Sequence, residues 1–142
     1  MELSQCSVLI TGGGRGIGNF MAMSLLERVA KVVIIDQDLK LINELPEREN
    51  LIKYHCDITD HAAVEKVISE IFEMHNGINV CINNAGIIHS EPLINILSPT
   101  DKKHKLSNWH IVIYVNLNSV YYDTSNVVEE MVLKKVKGLI IY

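Results

Sequence analysis

The residues whose spacing points most clearly to chemistry are three glycines near the amino terminus, Gly12, Gly16 and Gly18. They follow a short apolar run, residues 6–10, and an apolar pattern with helical spacing begins directly after them. A strand, a glycine-rich turn and a helix, in that order, are the context of a dinucleotide-binding turn. Glycines let the backbone approach a diphosphate closely, and the free N–H groups at the start of the helix favour an anion.

An aspartate follows the next apolar run, where a dinucleotide's adenosine ribose would need it. Asp36 ends the β-branched run of residues 31–35, and its carboxylate can accept hydrogen bonds from both ribose hydroxyls while repelling a 2′-phosphate. Gln37 stands where a basic residue would suit NADP(H), so we expect NAD(H) to be favoured. Arg15 in the glycine turn is still able to approach a phosphate. The alternative for Asp36 is a solvated strand end.

Three later stretches carry further candidate residues. Asp57 and Ile58 come directly after the predicted third strand, residues 51–56. The predicted fourth strand, residues 78–82, leads into Asn-Asn-Ala-Gly at residues 83–86. Small residues and asparagine amides at the carboxyl end of a strand can connect neighbouring strands through hydrogen bonds. The third stretch contains Asn116, which lies inside a helical pattern, where asparagine often bonds its own backbone instead.

These stretches resemble the signatures of the short-chain dehydrogenase/reductase family. Residues 11–18 match Thr-Gly-x-x-x-Gly-x-Gly, residues 83–86 match Asn-Asn-Ala-Gly, and residues 109–116 match Trp-x-x-x-x-x-Val-Asn. The resemblance implies an oxidoreductase that transfers a hydride between a nicotinamide coenzyme and an alcohol or carbonyl carbon of a small molecule. It also implies a homo-oligomer, either a dimer or a tetramer, assembled through the long helix of residues 117–136.

The resemblance assigns each candidate residue a role. The diphosphate would be held by Gly12, Arg15, Gly16, Ile17 and Gly18. The adenosine ribose would be held by Asp36 and the adenine by Asp57 and Ile58, whereas the ribose on the nicotinamide side would lie against Asn84, Ala85 and Gly86. Asn116 is the matching position for the asparagine that holds a water in the family's proton relay.

The family's remaining catalytic groups are absent from this sequence. Catalysis in the family relies on a serine just beyond the fifth strand and on a Tyr-x-x-x-Lys motif, but none of the five tyrosines has a lysine four positions later. We therefore expect a parent protein that continues beyond a sheet truncated after its fifth strand, with this chain inactive alone. The alternative is a non-catalytic dinucleotide-binding or regulatory module that ends near Tyr142.

The elements that must position these residues alternate between strand and helix. Strands are predicted at residues 6–10, 31–35, 51–56, 78–82 and 138–142, separated by amphipathic helical patterns. We therefore predict one α/β domain, residues 1–142, with a doubly wound, Rossmann-type parallel sheet of strand order 3-2-1-4-5. The stretch of residues 87–107 has no clear pattern.

Composition excludes several other classes of function. A net charge of −4 argues against a nucleic-acid partner, and no apolar stretch is long enough to span a bilayer. The amino terminus lacks the features of a signal peptide, and the three cysteines form no Cys-x-x-Cys pair, so we expect a cytoplasmic protein with reduced thiols. The six histidines show no metal-ligand spacing, so no metal site is predicted, and the glycine turn lacks the Gly-Lys-Ser/Thr of a P-loop.

Overall fold

The computed structural model describes residues 2–100 and 102–142, and its strands form one parallel sheet of order β3-β2-β1-β4-β5. The predicted α/β class and strand order are therefore confirmed. The strands are β1 (Ser7–Thr11), β2 (Lys31–Asp36), β3 (Leu51–His55), β4 (Val80–Ile82) and β5 (Leu139–Ile141). The helices are α1 (Gly16–Leu25), α2 (Leu39–Glu44), α3 (His61–Met74), α4 (Leu106–Ile113) and α5 (Ser119–Leu133). A 3₁₀ turn (Leu3–Gln5) precedes β1, and a π-helical turn (Tyr114–Asn118) joins α4 to α5.

The central strands are apolar because both faces of the sheet are covered. All four residues from Val32 to Ile35 in β2 are fully buried, and β1 pairs with β2 on one side and β4 on the other. Successive side chains point to opposite faces. Leu9 and Val33 pack into a core with α3 and α5, whereas the neighbouring Ile10 and Ile34 pack into a second core with α1 and α2.

Two helices begin at aspartate caps. Asp38 accepts hydrogen bonds from the backbone N–H groups of Lys40 and Leu41 at the start of α2, and Asp60 accepts one from Ala63 at the start of α3. The helical pattern that ends before Pro46 predicts a start at Gln37, but α2 begins two residues later because Asp38 adopts an extended backbone and caps it.

The apolar spacing of residues 120–136 predicts a stripe that places Val127, Val128, Met131 and Val132 on one side of α5. Val128 and Val132 are nevertheless exposed. The buried face instead combines Val127 and Met131 with three polar residues: Ser119, Asp123 and Asn126. Apolar periodicity could not find this face because three of its five buried residues are polar.

None of the helices in the described part of the chain has the length and apolar character that a bilayer crossing demands. The unpatterned stretch after β4 contains a short hairpin. An antiparallel bridge joins Ile94 to Lys103, and the N–H of His104 donates to the carbonyl of Leu93 at 3.0 Å. We call residues 83–105 the β4–α4 loop.

Candidate coenzyme site

The main cleft lies at the carboxyl ends of β1, β2 and β4, and its volume is about 290 Å³. Ligands of open α/β sheets bind at this edge, where the strand order reverses. Every residue that the sequence predicted to bind the coenzyme lines the cleft: Gly12, Arg15, Gly16, Ile17, Gly18, Asp36, Asp57, Ile58, Asn84, Ala85 and Gly86. Five further residues line the cleft, and of these the sequence singled out only Gln37, for the choice of coenzyme: Ile35, Gln37, Cys56, Ile87 and Val115.

The glycine turn brings the backbone of β1 close to the segment after β4. Gly12 has a φ of +65°, and a Cβ atom there would lie 2.9 Å from the Cα of Ala85. A Cβ atom on Gly18 would collide with the side-chain amide of Asn84 and with the carbonyl of Gly12. Gly16 also has a positive φ, +58°, but a Cβ atom there would meet nothing within 4 Å. The glycine turn is therefore tightly packed at Gly12 and Gly18, whereas the space beside Gly16 is open.

The start of α1 fits an anionic ligand. Arg15 is the N-cap residue, its backbone is extended, and its side chain makes no capping hydrogen bond. The next three residues, Gly16 to Gly18, line the cleft. Because the first N–H groups of a helix have no intrahelical partner and carry the positive end of the dipole, they can receive a diphosphate here.

Asp36 is held rigidly at the cleft by backbone donors. Its side chain is almost fully buried. One carboxylate oxygen, Oδ2, accepts from the N–H of Gly14 at 2.8 Å, and the other, Oδ1, accepts from the N–H of Asp38 at 3.0 Å. A carboxylate oxygen can accept more than one hydrogen bond, so this anchoring leaves acceptor capacity for a sugar hydroxyl.

Thr11 is the structural residue that sequence reasoning did not identify at this site. Its buried hydroxyl accepts from the backbone N–H groups of Asn84 at 3.2 Å and Ala85 at 3.1 Å. In return, Nδ2 of Asn84 donates to the carbonyls of Thr11 at 2.9 Å and Gly12 at 3.2 Å. These bonds join β1 to the segment after β4, and the only sequence signal for them is the position of Thr11 directly before the turn.

The two residues predicted to meet the adenine lie side by side at the cleft. Asp57 is exposed, and its Oδ1 accepts from the N–H of Thr59 at 2.9 Å and from its hydroxyl at 2.8 Å. Ile58 is buried against the core below α3. The turn formed by Asp57 and Thr59 therefore fixes the carboxylate, while Ile58 forms an apolar part of the wall.

Asn116 lies in the π-helical turn and bonds a distant segment rather than its own helix. Its Oδ1 accepts from the N–H of Ile87 and its Nδ2 donates to the carbonyl of Ile87, both at 2.8 Å. Among the residues that line the cleft, the π-helical turn contributes Val115, not Asn116. Asn116 thus anchors the start of the β4–α4 loop beside the cleft. Whether it also holds a water of a proton relay stays a prediction.

Not all of the buried polar groups beneath α5 have a hydrogen-bond partner within the described residues. Nδ2 of Asn83 donates to the hydroxyl of Thr124 at 3.1 Å, but Oδ1 of Asn83 and Oδ1 of Asp123 have no hydrogen-bond partner in the described part of the chain. Burial raises the pKa of Asp123 to about 7. Burial, and then the charge of Asp123, raise the pKa of the Cys81 thiol to about 12, so this cysteine is a protonated core residue at neutral pH.

The sequence and the fold both match a known family. The family model described as short chain dehydrogenase matches residues 7–142. The chain belongs to the short-chain dehydrogenase family. Members of this family bind NAD(P) and act on small molecules.

Several curated relatives and solved structures resemble the chain. Dehydrogenase/reductase SDR family member 11 of Gallus gallus is 32% identical over 130 residues, which are 87% of this chain and 48% of that protein. A 3-oxoacyl-(acyl-carrier-protein) reductase of Buchnera aphidicola is 30% identical over 140 residues. This match covers 95% of this chain and 53% of the reductase. The crystal structure of a gluconate 5-dehydrogenase from Burkholderia cenocepacia, in complex with NADP and tartrate, superimposes with a TM-score of 0.81 at 30% identity, covering 98% of this chain and 53% of the other. The chain spans about half the length of the curated relatives it matches.

Proposed function

We propose that this chain is the coenzyme-binding part of an NAD(P)-dependent oxidoreductase that transfers a hydride between nicotinamide and an alcohol or carbonyl substrate. The observation that carries the proposal is one cleft that brings together the glycine turn, Asp36 and residues 84–86. This placement agrees with the rule that dinucleotides bind at the switch point of an open parallel sheet. The bound coenzyme would supply or accept the hydride.

The contacts within the site support a separate binding role for each part of the cleft. The N–H groups of residues 16–18 would bind the diphosphate, with the exposed side chain of Arg15 adding positive charge. Asp36 would bind the adenosine ribose, and Asp57 with Ile58 would bind the adenine. The segment of residues 84–86, which Thr11 holds against β1, would contact the ribose on the nicotinamide side.

We further propose that the coenzyme is NAD(H) rather than NADP(H). The support is the anchored carboxylate of Asp36 at the cleft and the uncharged Gln37 beside it. A fixed negative charge beside the 2′ position repels a phosphate and accepts a hydroxyl. The gluconate 5-dehydrogenase that shares the fold was crystallised with NADP, so the preference of this chain must be measured directly.

The test is a calorimetric titration of the chain with NADH and with NADPH. We expect Asp36→Ala to weaken NADH binding by about tenfold or more, because hydrogen bonds to a charged group contribute about 1.5–3 kcal/mol, and to weaken NADPH binding less. Asp36→Asn removes the charge but keeps an oxygen for the N–H of Gly14. Asp60→Ala is the matched control, since it removes an aspartate that caps α3 and does not line the cleft. An equal loss of both coenzymes would remove the case for NAD(H).

Turnover separates the enzyme from its alternative, a non-catalytic dinucleotide-binding or regulatory module. The 142 residues contain no Tyr-x-x-x-Lys, so we propose that this chain binds coenzyme without the general acid–base step, which typically contributes about 10²–10⁴-fold in rate. A longer product of the same reading frame should oxidise NADH with a panel of carbonyl substrates. Coenzyme binding without turnover in that product would favour the regulatory module.

We also propose that the protein assembles as a dimer or tetramer through the helical run from α4 to α5. Large apolar side chains are exposed along it, including Trp109 (55%), Leu117 (63%) and Tyr121 (68%). Tyr122 does not belong to this exposed set, because it packs against the core and against the ring of His61. Light scattering of the wild-type chain and of Tyr121→Glu should show a smaller species for the variant.

A cytoplasmic location is proposed as well, supported by three free, buried cysteines.

A further inference from the structure

We propose that His89, Glu91 and His104 bind a divalent transition-metal ion, with Zn²⁺ the best match to their geometry. All three belong to the β4–α4 loop, and their ligand atoms lie within 4.8 Å of one another. Within residues 2–100 and 102–142 no other three histidine, cysteine or carboxylate side chains come together in this way. The proposal does not depend on coenzyme binding.

The two distances from the Glu91 carboxylate to the histidine nitrogens are close to those of a tetrahedral site. Oε2 of Glu91 lies 3.0 Å from Nε2 of His89 and 3.6 Å from Nε2 of His104. Zinc bonds to nitrogen and oxygen are about 2.0–2.1 Å long, so tetrahedral ligand atoms stand roughly 3.3–3.4 Å apart. Small side-chain movements would therefore suffice to place all three atoms on one ion, with the fourth position open to water.

The ring nitrogen of His104 that faces Glu91 supports the same site. This Nε2 atom is buried and has no hydrogen-bond partner within the described residues, although it faces the Glu91 carboxylate at 3.6 Å. A buried polar atom without a partner is unfavourable, because it has given up its hydrogen bonds to water. Coordination to a cation would satisfy this nitrogen and the carboxylate together.

The two polar contacts of His89 make opposite demands on one ring nitrogen. Its Nε2 lies 3.0 Å from the Glu91 carboxylate, which requires a proton on the nitrogen. The same Nε2 lies 2.8 Å from Nδ2 of Asn108, which requires a lone pair there. One ring nitrogen cannot provide both. A metal ion bound to the lone pair would take the place of both contacts to His89, and Asn108 would continue to orient the carboxylate through its 3.0 Å bond to Oε2.

The fold explains why the sequence spacing gave no sign of this site. His89 and Glu91 lie two residues apart, but His104 joins them only because the hairpin pairs Ile94 with Lys103 and His104 with Leu93. Ile87 lines the coenzyme cleft just before the first ligand. A bound ion would consequently fix the loop that begins at the cleft wall.

Calorimetric titration of the chelator-treated chain with ZnCl₂ at pH 7.5 tests the proposal. We expect one ion per chain for the wild type, and an affinity lower by about tenfold or more for Glu91→Gln and for His104→Ala. His110→Ala is the control, because His110 is exposed on α4 outside the trio and should leave the titration unchanged. No binding by the wild type, or equal binding by all four proteins, would overturn the proposal.

Cobalt substitution gives a second readout that does not depend on affinity. A four-coordinate Co²⁺ site absorbs visible light far more strongly than the hydrated ion, so the wild type should develop an intense band at one equivalent of Co²⁺. His104→Ala, shown by circular dichroism to be folded, should lose it. A weak, six-coordinate spectrum in the wild type would contradict the proposed site.

Discussion

Asn83 and Asn84 are consecutive residues, yet their side chains have opposite surroundings. Asn84 faces the glycine turn, where its amide and the hydroxyl of Thr11 form a closed set of hydrogen bonds. Asn83 faces α5, where its Oδ1 and that of Asp123 have no partner among the residues described. We call these regions the turn side and the helix side.

The two regions differ in whether their polar groups are already arranged for ligand binding. On the turn side every bond holds the backbone in position for a ligand, so the cleft does not need to be assembled on binding. On the helix side an incompletely paired carboxyl group is buried in a core, which favours its neutral form. The first region therefore concerns binding, and the second concerns how stability depends on pH.

The largest effect should come from filling the close approach at Gly12. Gly12→Ala combines a positive φ with a Cβ atom 2.9 Å from the backbone of Ala85, so we expect the free energy of unfolding to fall by about 2–5 kcal/mol. Gly16→Ala is the matched control, since its φ is also positive but its Cβ would enter open space. It should lose only about 1–2 kcal/mol in the same urea titration. Equal losses would mean that the turn is not packed as described.

The second effect is a pH dependence that belongs to the helix side. Burial raises the pKa of Asp123 to about 7, whereas an aspartate in an unfolded chain has a pKa near 4. Between these values the folded chain binds more protons than the unfolded chain, so the free energy of unfolding falls as pH rises and is level above about pH 7. At roughly 1.4 kcal/mol per pKa unit, a difference of about three units gives a decline of about 4 kcal/mol.

Asp123→Asn should flatten that part of the stability profile, measured by urea unfolding from pH 4 to pH 8. Glu129→Gln on the exposed side of the same helix should leave the decline in place. A decline of the same size in Asp123→Asn would assign the pH dependence to other groups.

The third effect concerns the hydroxyl that closes the turn side. Thr11→Val keeps the shape of the side chain but leaves the N–H groups of Asn84 and Ala85 without their acceptor. We expect a loss of about 1–3 kcal/mol in stability and weaker NADH binding, because residues 84–86 are no longer held against β1. Thr11→Ser restores the acceptor and should recover most of both. If Ser behaves like Val, the methyl group rather than the hydroxyl is what matters.

The smallest effect is expected at Asn116, which bonds Ile87 in the β4–α4 loop. Asn116→Ala removes two hydrogen bonds to Ile87 at an exposed position, so we expect about 1 kcal/mol in stability. The sharper readout is hydrogen exchange, in which the Ile87 amide should lose protection. Asn118→Ala, in the same π-helical turn, should leave that amide protected.

The sequence predicted that the glycine turn and Asp36 lie at one edge of the sheet, because short stretches of sequence determine their positions. Gly12, Gly16 and Gly18 stand between a strand and a helix, and Asp36 stands at the end of the next strand, so the strand order alone brings them to one edge. The helix side was not predicted, since the polar residues Ser119, Asp123 and Asn126 occupy a buried face that apolar periodicity assigns to solvent. The β4–α4 loop was not predicted either, because its hairpin and the contacts of His104 join residues that carry no shared pattern.

A crystal structure of the chain with NADH bound would show directly whether the glycine turn and Asp36 hold the coenzyme. We expect the diphosphate within hydrogen-bonding distance of the N–H groups of residues 16–18, and the adenosine ribose on the carboxylate of Asp36. A coenzyme bound elsewhere, or a glycine turn left empty at saturating NADH, would contradict it.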